Sequence, residues 1–463
     1  MPVRAGLRGA AMIPIVTPEE MRVADAAATE PVEVLIERAG AAVARAAVRM
    51  MGGTYGRRVV VVAGKGNNGA DGRVAAARLA ERGVQVTILD AALNPPVVPP
   101  CDLVIDAAYG TGFRGIWYGP DPNGAPVLAV DIPSGVDGLT GRATDGVVPV
   151  DRTVTFAALK PGLLFAPGSL LAGTVEVADI GLDVPGAHRF LVEPADVAAW
   201  VPRRPSEAHK WRSAVWVIAG SGGMMGAAHL AARAAQRAGA GMVRLSTPGY
   251  AADPLAPVET VRFALSPTTW VDEVLGDTDR FHAMVLGPGM GRNEATTANV
   301  RDLVQRCPLP MVVDGDGLFA LAWSAEGAAA TLRDRTAPTV LTPHDGEYTL
   351  LRGSRPGADR LASAVGLARE LNCIVLLKGP TTVCAAPDGE VLVANAGDER
   401  LATAGTGDVL AGIIGALLAQ QVPPLQAAAA GAWLHGQAAA RGAERGLVAG
   451  DLPDLLPATL AEL

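Results

Sequence analysis

Three glycine-rich loops in the second half of the sequence carry residue types that suit phosphate binding. They are GPGMG (287–291), KGPTT (378–382) and AGTGD (404–408). Glycines let a ligand approach the backbone, Lys378 adds a positive charge, and the third loop opens a helix whose free amides attract an anion. The chain lacks the pattern G-x-x-x-x-G-K-[ST], so the simple P-loop interpretation is excluded. Together the loops predict a phosphate site of another design.

The third of these loops also carries a carboxylate, Asp408. An acid in the first turn of a helix commonly complements the helix dipole, and capping is one interpretation. The other is catalysis, in which Asp408 takes a proton from a hydroxyl group while the helix start stabilises the transferred phosphoryl group. The glycines allow two substrates to approach closely, which capping does not require. We therefore favour catalysis.

In the first half, GKGNNG (64–69) satisfies the dinucleotide pattern G-x-G-x-x-G after a strand and before a helix. Asp90 ends the next strand, where that pattern places an acid. A dehydrogenase is thus the first hypothesis. The loop interior disfavours it, because Asn67, Asn68 and Asp71 place polar oxygens where phosphate-binding loops have small residues.

Two further acids, Asp106 and Asp131, stand at the ends of neighbouring strand patterns. The carboxyl ends of parallel strands meet at one crevice, where ligands bind. Asn68, Asp106 and the region of Ser134 could supply oxygen ligands for a cation there. A single such residue is more simply a helix cap. Three around a GTG loop favour a ligand site.

Short apolar runs alternate with helical patterns along the chain, as in sheets of buried parallel strands. In the first half these runs are RRVVVVAG, VQVTILD, CDLVIDAAYG, APVLAVDIPSG and DRTVTFAALK. After residue 213 they are AVWVIAGS, GMVRLSTP, HAMVLGPGMG, PMVVDGDG, APTVLTPHDGE, CIVLLKGPTTVCAA and EVLVANAG. One or two helices precede the first run, with a capping box from Thr17 to Glu20. Two helices, from about Gly405 and Pro424, close the chain.

The segment 194–213 is rich in proline and charge, and it separates the two series of runs. We predict two doubly wound, three-layer α/β domains, at residues 1–200 and 201–463. A chain of 463 residues fits two domains. Its net charge of −8 disfavours a nucleic-acid partner.

Composition also suggests where the protein works. The four scattered cysteines fit a reducing compartment. No apolar run reaches the length of about 20 residues that a membrane span needs. The N-terminal stretch is a poor signal peptide. We therefore predict a cytoplasmic protein with no membrane partner.

The first half resembles the NAD(P)H-hydrate epimerase family in four segments: GKGNNGADGRVAAARL, DAAYGTGFRG, VDIPSGVDG and TFAALKPGLL. The resemblance covers about residues 15–195 and implies a Rossmann-like domain that interconverts the two epimers of hydrated NADH or NADPH. It implies a potassium ion held by Asn68, Asp106 and Ser134. The implied substrate-binding residues are Asn67, Asn68, Gly69, Ala70, Asp71, Gly110, Thr111, Gly112, Phe113, Arg114, Gly115 and Asp131. Ala70 replaces a glycine that is usual in the family.

Epimerisation at the hydrated carbon requires the hydroxyl group to leave and return, or a rearrangement that involves the electrons of the ring nitrogen. We assign Asp131 to proton transfer. Lys160 either assists as its partner, offsetting developing charge, or is only a solvated lysine at a strand end; both interpretations stay open.

The second half resembles ribokinase-like kinases and, among them, the NAD(P)H-hydrate dehydratase family. The matching segments are HKW, VIAGSGGMMGAAHLAARAAQRAGAGMVRL, VLGPGMG, TPHDGE, LLKGPTT and ATAGTGDVLAGIIGALLAQ. The resemblance covers about residues 205–460 and implies phosphorylation of the hydrate by ADP or ATP, with Mg²⁺, followed by loss of phosphate. The implied hydrate contacts are Ala227, Gly289, His344 and Asp408. The implied nucleotide contacts are Lys378, Gly379, Pro380, Thr381, Thr382 and Gly407.

Some residues of the second half depart from the family or have a simpler interpretation. Trp211 stands where HKG has glycine, and DGDGL (314–318) replaces DADAL. His344 could merely cap a helix, but the acidic neighbours Asp345 and Glu347 favour a ligand-facing loop. The remaining histidines considered are interpreted as structural: His188, His229, His282 and His435.

The two halves together predict a bifunctional enzyme, assembled as a homo-oligomer, that repairs hydrated NADH and NADPH. One alternative is a kinase of a small vitamin-precursor alcohol fused to a binding domain. The other makes the N-terminal domain a non-catalytic nucleotide sensor or interaction module. The sequence does not choose between ADP and ATP.

Overall fold

The computed structural model of the chain describes residues 3–5, 12–250 and 255–463. The strands are β1 (Val3–Ala5), β2 (Ile13–Pro14), β3 (Arg58–Ala63), β4 (Gln85–Asp90), β5 (Leu103–Ala107), β6 (Val127–Val130), β7 (Arg152–Phe156), β8 (Thr174–Ala178), β9 (Arg189–Leu191), β10 (Ala214–Ile218), β11 (Met242–Ser246), β12 (Val261–Arg262), β13 (Ala283–Leu286), β14 (Met311–Val313), β15 (Thr339–Leu341), β16 (Ile374–Leu377), β17 (Thr382–Ala385) and β18 (Val391–Ala394).

The helices are α1 (Pro18–Ala26), α2 (Val32–Met51), α3 (Asn67–Ala80), α4 (Gly168–Leu171), α5 (Pro194–Trp200), α6 (Met225–Arg237), α7 (Trp270–Leu275), α8 (Glu294–Arg306), α9 (Asp316–Ala322), α10 (Gly327–Leu332), α11 (Asp345–Arg352), α12 (Arg360–Leu371), α13 (Thr406–Ala419), α14 (Pro424–Arg441) and α15 (Leu452–Ala461). No helix in these described residues combines the length and apolar character that crossing a bilayer requires.

The chain divides into two compact units, Met1–Phe190 and Leu191–Leu463. The predicted domain boundary at residues 200 and 201 falls slightly later, at the end of α5. This helix occupies part of the proline-rich segment in which the sequence shows no strand pattern.

The sheet of the N-terminal unit is parallel throughout, in the order β1–β8–β7–β6–β5–β3–β4. The strand order reverses between β3 and β5, which creates a crevice at their carboxyl ends. Val62 of β3 lies beside Asp106 of β5, so the two strands end at the same level. The capping box from Thr17 to Glu20 is confirmed at the start of α1.

The two faces of this sheet are covered differently. Val59 and Val61 of β3 belong to a core with α2 and α3. Val60 and Val62 point to the other face and pack with Trp117 and neighbouring loop residues. Alternate side chains of β3 therefore pack into two separate cores, one on each face of the sheet. Helices cover the first core, and largely irregular segments cover the second.

In the C-terminal unit the strands follow the order β12–β11–β10–β13–β14–β15–β16–β17–β18. Pairing is parallel from β12 to β16, and the order reverses between β10 and β13. Strands β10, β13, β14 and β15 are buried along their whole length, which accounts for their unbroken apolar runs. Helix α13 contacts β10, β13 and β14.

Two features of this unit differ from the expectation. The run CIVLLKGPTTVCAA forms two strands, and β16, β17 and β18 pair in antiparallel fashion. The loop 378–381 reverses the chain, which an unbroken apolar pattern does not reveal. A third helix, α15, follows the two predicted terminal helices. Pro457 lies inside this helix and disfavours a helix prediction there, whereas Pro453 is in its first turn, where proline is tolerated.

Trp211, the replacement in the HKG segment, packs edge-on against Phe281 with ring centroids 6.0 Å apart. The Arg280 guanidinium lies 5.0 Å from the centre of the Trp211 ring. The tryptophan therefore extends an aromatic cluster near the start of β10, away from the strand ends that carry the glycine-rich loops.

Candidate functional sites

The crevice of the N-terminal unit is built by the loop between β3 and α3. Gly69 packs so tightly against the Gly64 backbone that any side chain there would collide with the Gly64 carbonyl. This close packing holds the first turn of α3, with Asn67 and Asn68, at the end of β3. The Asn68 side-chain amide nitrogen is buried and has no hydrogen-bond partner among the described residues. An unsatisfied buried amide marks a place where a ligand would bind.

Asp106, at the end of β5, is tied to Ser134 from the neighbouring loop. The Ser134 hydroxyl donates to Asp106 Oδ1 (2.6 Å), and the Ser134 amide donates to Asp106 Oδ2 (2.9 Å). Burial raises the pKa of Asp106, although these hydrogen bonds from Ser134 and one from the Ala108 amide oppose it. The structure thus brings together two of the three predicted cation ligands.

The GTG loop (110–115) closes the same corner. A Cβ atom placed on Gly110 would lie 3.6 Å from the Asn68 side chain, so the loop begins beside that residue. Phe113 packs on Tyr109 with ring centroids 4.2 Å apart. Arg114 remains exposed and donates to the loop carbonyls of Thr111 and Phe113. Asn68, Asp106, Ser134 and the GTG loop therefore border one crevice.

Asp131 follows β6 with a left-handed backbone (φ 66°) and faces Lys160. The Lys160 ammonium lies 2.7 Å from Asp131 Oδ1. It also donates to the Thr155 hydroxyl (2.9 Å) and to the Phe156 carbonyl (3.0 Å). Lys160 is 1 % exposed, so the interpretation as a solvated strand-end lysine is wrong. A buried ammonium needs such a partner, because an unpaired one is strongly disfavoured.

Thr155 completes this pair, because its hydroxyl donates to Asp131 Oδ1 (2.9 Å) while accepting from Lys160. The sequence interpretation missed Thr155, although its position on β7, five residues before Lys160, was a usable signal. It also missed Asp25 on α1, which interacts electrostatically with Lys160 and Asp131. Nothing in the sequence connects α1 with the strand ends.

Asp71 lies on α3 and is 7 % exposed. Its pKa is raised to about 8, mainly by burial and then by the charges of Asp131 and Asp25, while Lys160 opposes the shift. Asp71 and Asp131 therefore share a neighbourhood but differ in their partners. The N-terminal crevice combines a candidate cation site with several carboxyl groups around one buried lysine.

The GPGMG loop of the C-terminal unit (287–291) meets the start of α6. Gly289 has a left-handed backbone (φ 62°), and a Cβ atom on it would lie 2.9 Å from the Ala227 Cβ. The Ser221 hydroxyl donates to the Gly289 carbonyl (2.7 Å), and the Gly291 amide donates to Asp316 Oδ2 (2.9 Å). Ala227 and Gly289, both predicted hydrate contacts, are thus adjacent.

Lys378 projects from the end of β16 towards Asp314. Its ammonium lies 2.6 Å from Asp314 Oδ1, which also accepts from the Thr342 hydroxyl (2.6 Å). Burial by itself would lower the pKa of Lys378, but Asp314, Glu347 and Asp408 together raise it. The lysine stays charged and can attract phosphate. Asp314 was not among the predicted site residues, although its DGDGL segment was noted.

The start of α13 lies next to this lysine. A Cβ atom on Gly407 would be 3.2 Å from the Lys378 ammonium and 3.7 Å from Asp314 Oδ2. Two of the three predicted phosphate loops, KGPTT and AGTGD, therefore meet at one point. The free amides at the helix start and the ammonium face the same space, as an anion site requires.

Asp408 occupies the third position of α13, after the left-handed Gly405 (φ 93°). No described residue forms a side-chain hydrogen bond with Asp408, so its carboxyl group makes no hydrogen-bonded cap, although its place in the first turn complements the helix dipole. The pKa of Asp408 is raised to about 7, mainly by burial and then by the charge of Asp314, while Lys378 opposes the shift. A carboxyl group with this pKa is suited to proton transfer near neutral pH.

His344 does cap a helix, as the simpler interpretation held. Its Nδ1 accepts from the amides of Gly346 (2.9 Å) and Glu347 (3.2 Å), and the Glu347 carboxylate accepts from the His344 amide. The side chain is 61 % exposed at the start of α11. Capping fixes the ring and leaves its other edge exposed, so hydrate contact stays a prediction.

Arg360 and Asn395 also border the KGPTT loop, and the sequence interpretation missed both. Arg360 donates to the Lys378 carbonyl (2.8 Å) and forms a bidentate pair with Asp345. Asn395 accepts from the Thr381 hydroxyl (3.1 Å), and its buried amide nitrogen lacks a partner among the described residues. The Thr382 hydroxyl donates to the Gly379 carbonyl (3.3 Å).

His435, interpreted from sequence as structural, is buried on α14 beside the AGTGD loop. Burial and the charge of Lys378 lower the pKa of His435 to about 4, while a backbone hydrogen bond with Thr406 opposes them. The imidazole is neutral at physiological pH. It therefore adds no second positive charge to the anion site.

Comparisons with known proteins agree with this geometry. The family model for NAD(P)H-hydrate dehydratase matches residues 215–461. The model described as YjeF-related protein N-terminus matches residues 32–97 and 89–162. A bifunctional NAD(P)H-hydrate repair enzyme from Moorella thermoacetica is 37% identical, covering 97% of each chain. The enzyme of that name from Escherichia coli is 34% identical, covering 86% of this chain and 84% of the relative.

Among solved structures, a ribokinase-like superfamily protein from Enterococcus faecalis superposes with a TM-score of 0.52. It is 22% identical and covers 59% of this chain and 96% of its own. This similarity identifies the fold of the C-terminal unit as ribokinase-like.

Proposed function

The chain belongs to the bifunctional NAD(P)H-hydrate repair enzymes, and we propose how its two units divide that repair. The N-terminal domain (1–200) interconverts the two epimers of hydrated NADH and NADPH. The C-terminal domain (201–463) dehydrates one epimer at the expense of ADP or ATP. The observation that carries this division is Asp408, a buried carboxyl group that makes no hydrogen-bonded cap, beside the phosphate-attracting Lys378. The N-terminal carboxyl groups form a second, separate centre.

In the dehydratase site, the roles follow from charge and position. Lys378 and the α13 amides hold the transferred phosphoryl group, and residues 378–382 with Gly407 bind the nucleotide. Asp408 takes the proton from the hydroxyl group of the hydrate, which Ala227, Gly289 and His344 contact. The phosphorylated oxygen then leaves as phosphate with the electron pair of its bond to the carbon that carried the hydroxyl group, while the lone pair of the ring nitrogen forms a double bond to that carbon. Loss of a proton from the next ring carbon restores the reduced nicotinamide ring. Mg²⁺ accompanies the nucleotide and neutralises its phosphates.

In the epimerase site, Asp131 transfers the proton, and Lys160 with Thr155 holds its carboxylate in place. Asn67–Asp71 and the GTG loop (110–115) bind the hydrate. Asn68, Asp106 and Ser134 would hold potassium, because their amide, carboxylate and hydroxyl oxygens suit a hard cation. The unpartnered Asn68 amide nitrogen is a donor, so it would bind an acceptor group of the hydrate and not the ion. The ion would supply a fixed positive charge close to the substrate.

Potassium dependence is open to direct measurement. Replacing K⁺ with Na⁺ or tetramethylammonium at constant ionic strength should slow epimer exchange by about tenfold or more, of the order lost when metal sites are perturbed. Dehydration in the same samples serves as the control. Equal epimer exchange in all three salts would contradict the assignment.

We further propose a cytoplasmic homo-oligomer with no nucleic-acid partner. The cytoplasmic location is supported by the four cysteines, which are all free thiols: Cys101, Cys307, Cys373 and Cys384. Light scattering of the purified chain measures the oligomeric state.

The alternative of an alcohol kinase fused to a binding domain has no observation in its favour, because the family matches extend over both units. Turnover of purified protein on hydrated NADH with ADP or with ATP tests the proposal. We expect NADH to form with at least one nucleotide, and no phosphorylation of pyrimidine or thiazole alcohols. The reverse pattern would contradict the proposal.

A further inference from the structure

The N-terminal crevice contains one buried carboxyl group, Asp71, that is surrounded by charged groups from other elements. Asp71 lies on α3 and is 7 % exposed. Three charged groups face it from other elements: Asp25 from α1, Asp131 after β6 and Lys160 after β7. Family resemblance implies only that Asp71 binds substrate. That role does not explain why three carboxyl groups lie around a single lysine.

The single cation of this cluster is committed to Asp131. The Lys160 ammonium lies 2.7 Å from Asp131, and the Thr155 hydroxyl donates to the same oxygen (2.9 Å). Asp71 has no hydrogen-bond donor to its side chain among the described residues. A buried carboxyl group without a donor or counter-ion is more stable when protonated. The geometry therefore gives Asp131 a counter-ion and leaves Asp71 without one.

We propose that Asp71 is the general acid of epimerisation, which protonates the departing hydroxyl group while Asp131 is the base. This inference rests on the epimerase activity proposed above and assigns a new catalytic role within it. Pairs of acids whose surroundings push their protonation states apart commonly divide acid and base roles in this way.

The Asp71 proton passes to the hydroxyl oxygen, and the carbon–oxygen bond breaks with its electron pair leaving in a water molecule. The lone pair of the ring nitrogen forms a carbon–nitrogen double bond to the same carbon. Water then adds to the opposite face, and its proton passes to Asp131. Each turnover leaves Asp71 deprotonated and Asp131 protonated. The reverse reaction, or proton exchange with solvent, restores the starting protonation states.

Electrostatics support this division. Burial raises the pKa of Asp71 to about 8, with Asp131 and Asp25 adding to the effect and Lys160 opposing it. Asp71 is thus mostly protonated at pH 7 and loses its proton above pH 8. Epimer exchange should therefore decline as the pH rises through this range, because the deprotonated form cannot donate.

The test uses the full-length chain and measures epimer exchange by chromatography without nucleotide. Asp71→Asn should lower kcat for epimer exchange by about 10²-fold or more, the usual contribution of general acid catalysis. In this variant kcat should no longer decline as the pH rises through 8. KM should change much less. Asp25→Asn removes one negative charge beside Asp71, so the alkaline decline in kcat should move to lower pH. If Asp71→Asn leaves kcat unchanged, or if its kcat still declines at alkaline pH, the proposal is overturned.

Isotope labelling tests the same step in the wild-type chain and depends on no variant. In H₂¹⁸O, each epimerisation should place one labelled oxygen on the hydrated carbon. Exchange of epimers without label overturns the proposal while leaving the epimerase function intact. Failure of the wild-type chain to exchange epimers at all would instead contradict the epimerase function itself.

Discussion

Asp131 and Asp408 carry the same side chain in different electrical surroundings. Asp131 is paired with Lys160 and Thr155. Asp408 has no hydrogen bond to its side chain from any described residue, and burial, with the negative charge of Asp314, raises its pKa to about 7. Both acids were identified from sequence because each follows a strand or a glycine-rich loop. Their protonation states were not predictable, because the partners come from distant parts of the chain.

Replacing Asp408 with asparagine separates catalysis from helix capping. Dehydration should fall by about 10³-fold, within the range for loss of proton transfer, because the amide cannot accept the hydroxyl proton. The affinity for ADP, measured by calorimetry, should stay within about threefold, since an uncharged group does not repel phosphate. A large loss of ADP affinity with an equal loss of thermal stability would point to a structural cap.

The same variant should also change stability in a pH-dependent way. Burial and the charge of Asp314 raise the pKa of Asp408 to about 7 in the fold, well above its ordinary value, so the native state holds this proton at pH values where the unfolded chain has lost it. Stability is therefore lost as the pH rises from about 4 to 7, and the loss is complete above 7. Asp408→Asn should raise the unfolding free energy by about 1–3 kcal/mol at pH 8 and by less at pH 5. Urea unfolding at both values measures this; an equal effect at both would exclude the burial of charge as its cause.

At the scale of elements, the aligned ends of neighbouring strands position the loops that carry the candidate site residues. In the C-terminal unit Ile218, Leu286, Val313 and Leu341 lie side by side across four strands, so the loops that follow emerge together. Alternating apolar runs and glycine-rich turns were sufficient to predict these strands and loops. The antiparallel return through β17 and the helix α15 were not predictable, because a turn inside an apolar run and a proline inside a helix, Pro457, contradict the local pattern.

The junction of β16 and α13 offers a test at this scale. Gly407→Ala places a methyl group 3.2 Å from the Lys378 ammonium, so the lysine must move away from the helix start. We expect the KM for nucleotide to rise about tenfold, equivalent to about 1.4 kcal/mol, with little change in epimer exchange.

Gly366→Ala is the matched control for this change. Gly366 lies in α12 of the same unit, and nothing is within 4 Å of a Cβ placed there. The control should leave the KM unchanged, and its helix should tolerate alanine at least as well as glycine. Equal KM values for the two alanine variants would remove Gly407 from the nucleotide site.

For the molecule as a whole, the two units carry complementary steps on one chain. A dehydratase that accepts one epimer leaves the other behind, and an epimerase returns that remainder to the usable form. The sequence predicted both units from ordered motifs in each half. Residues such as Asp25, Thr155, Arg360 and Asn395 were not predicted, since they act through contacts formed only in the fold.

The most direct test measures NADH formed from an equal mixture of the two hydrate epimers with excess ADP or ATP. The wild-type chain should convert the whole mixture at one enzymatic rate. Asp131→Asn should convert about half quickly and the rest only as fast as the epimers exchange without the enzyme, because each epimer makes up half of the mixture. Asp408→Asn should form almost no NADH while still exchanging the epimers. Complete rapid conversion by Asp131→Asn, or normal conversion by Asp408→Asn, would contradict the assignment of two coupled active sites.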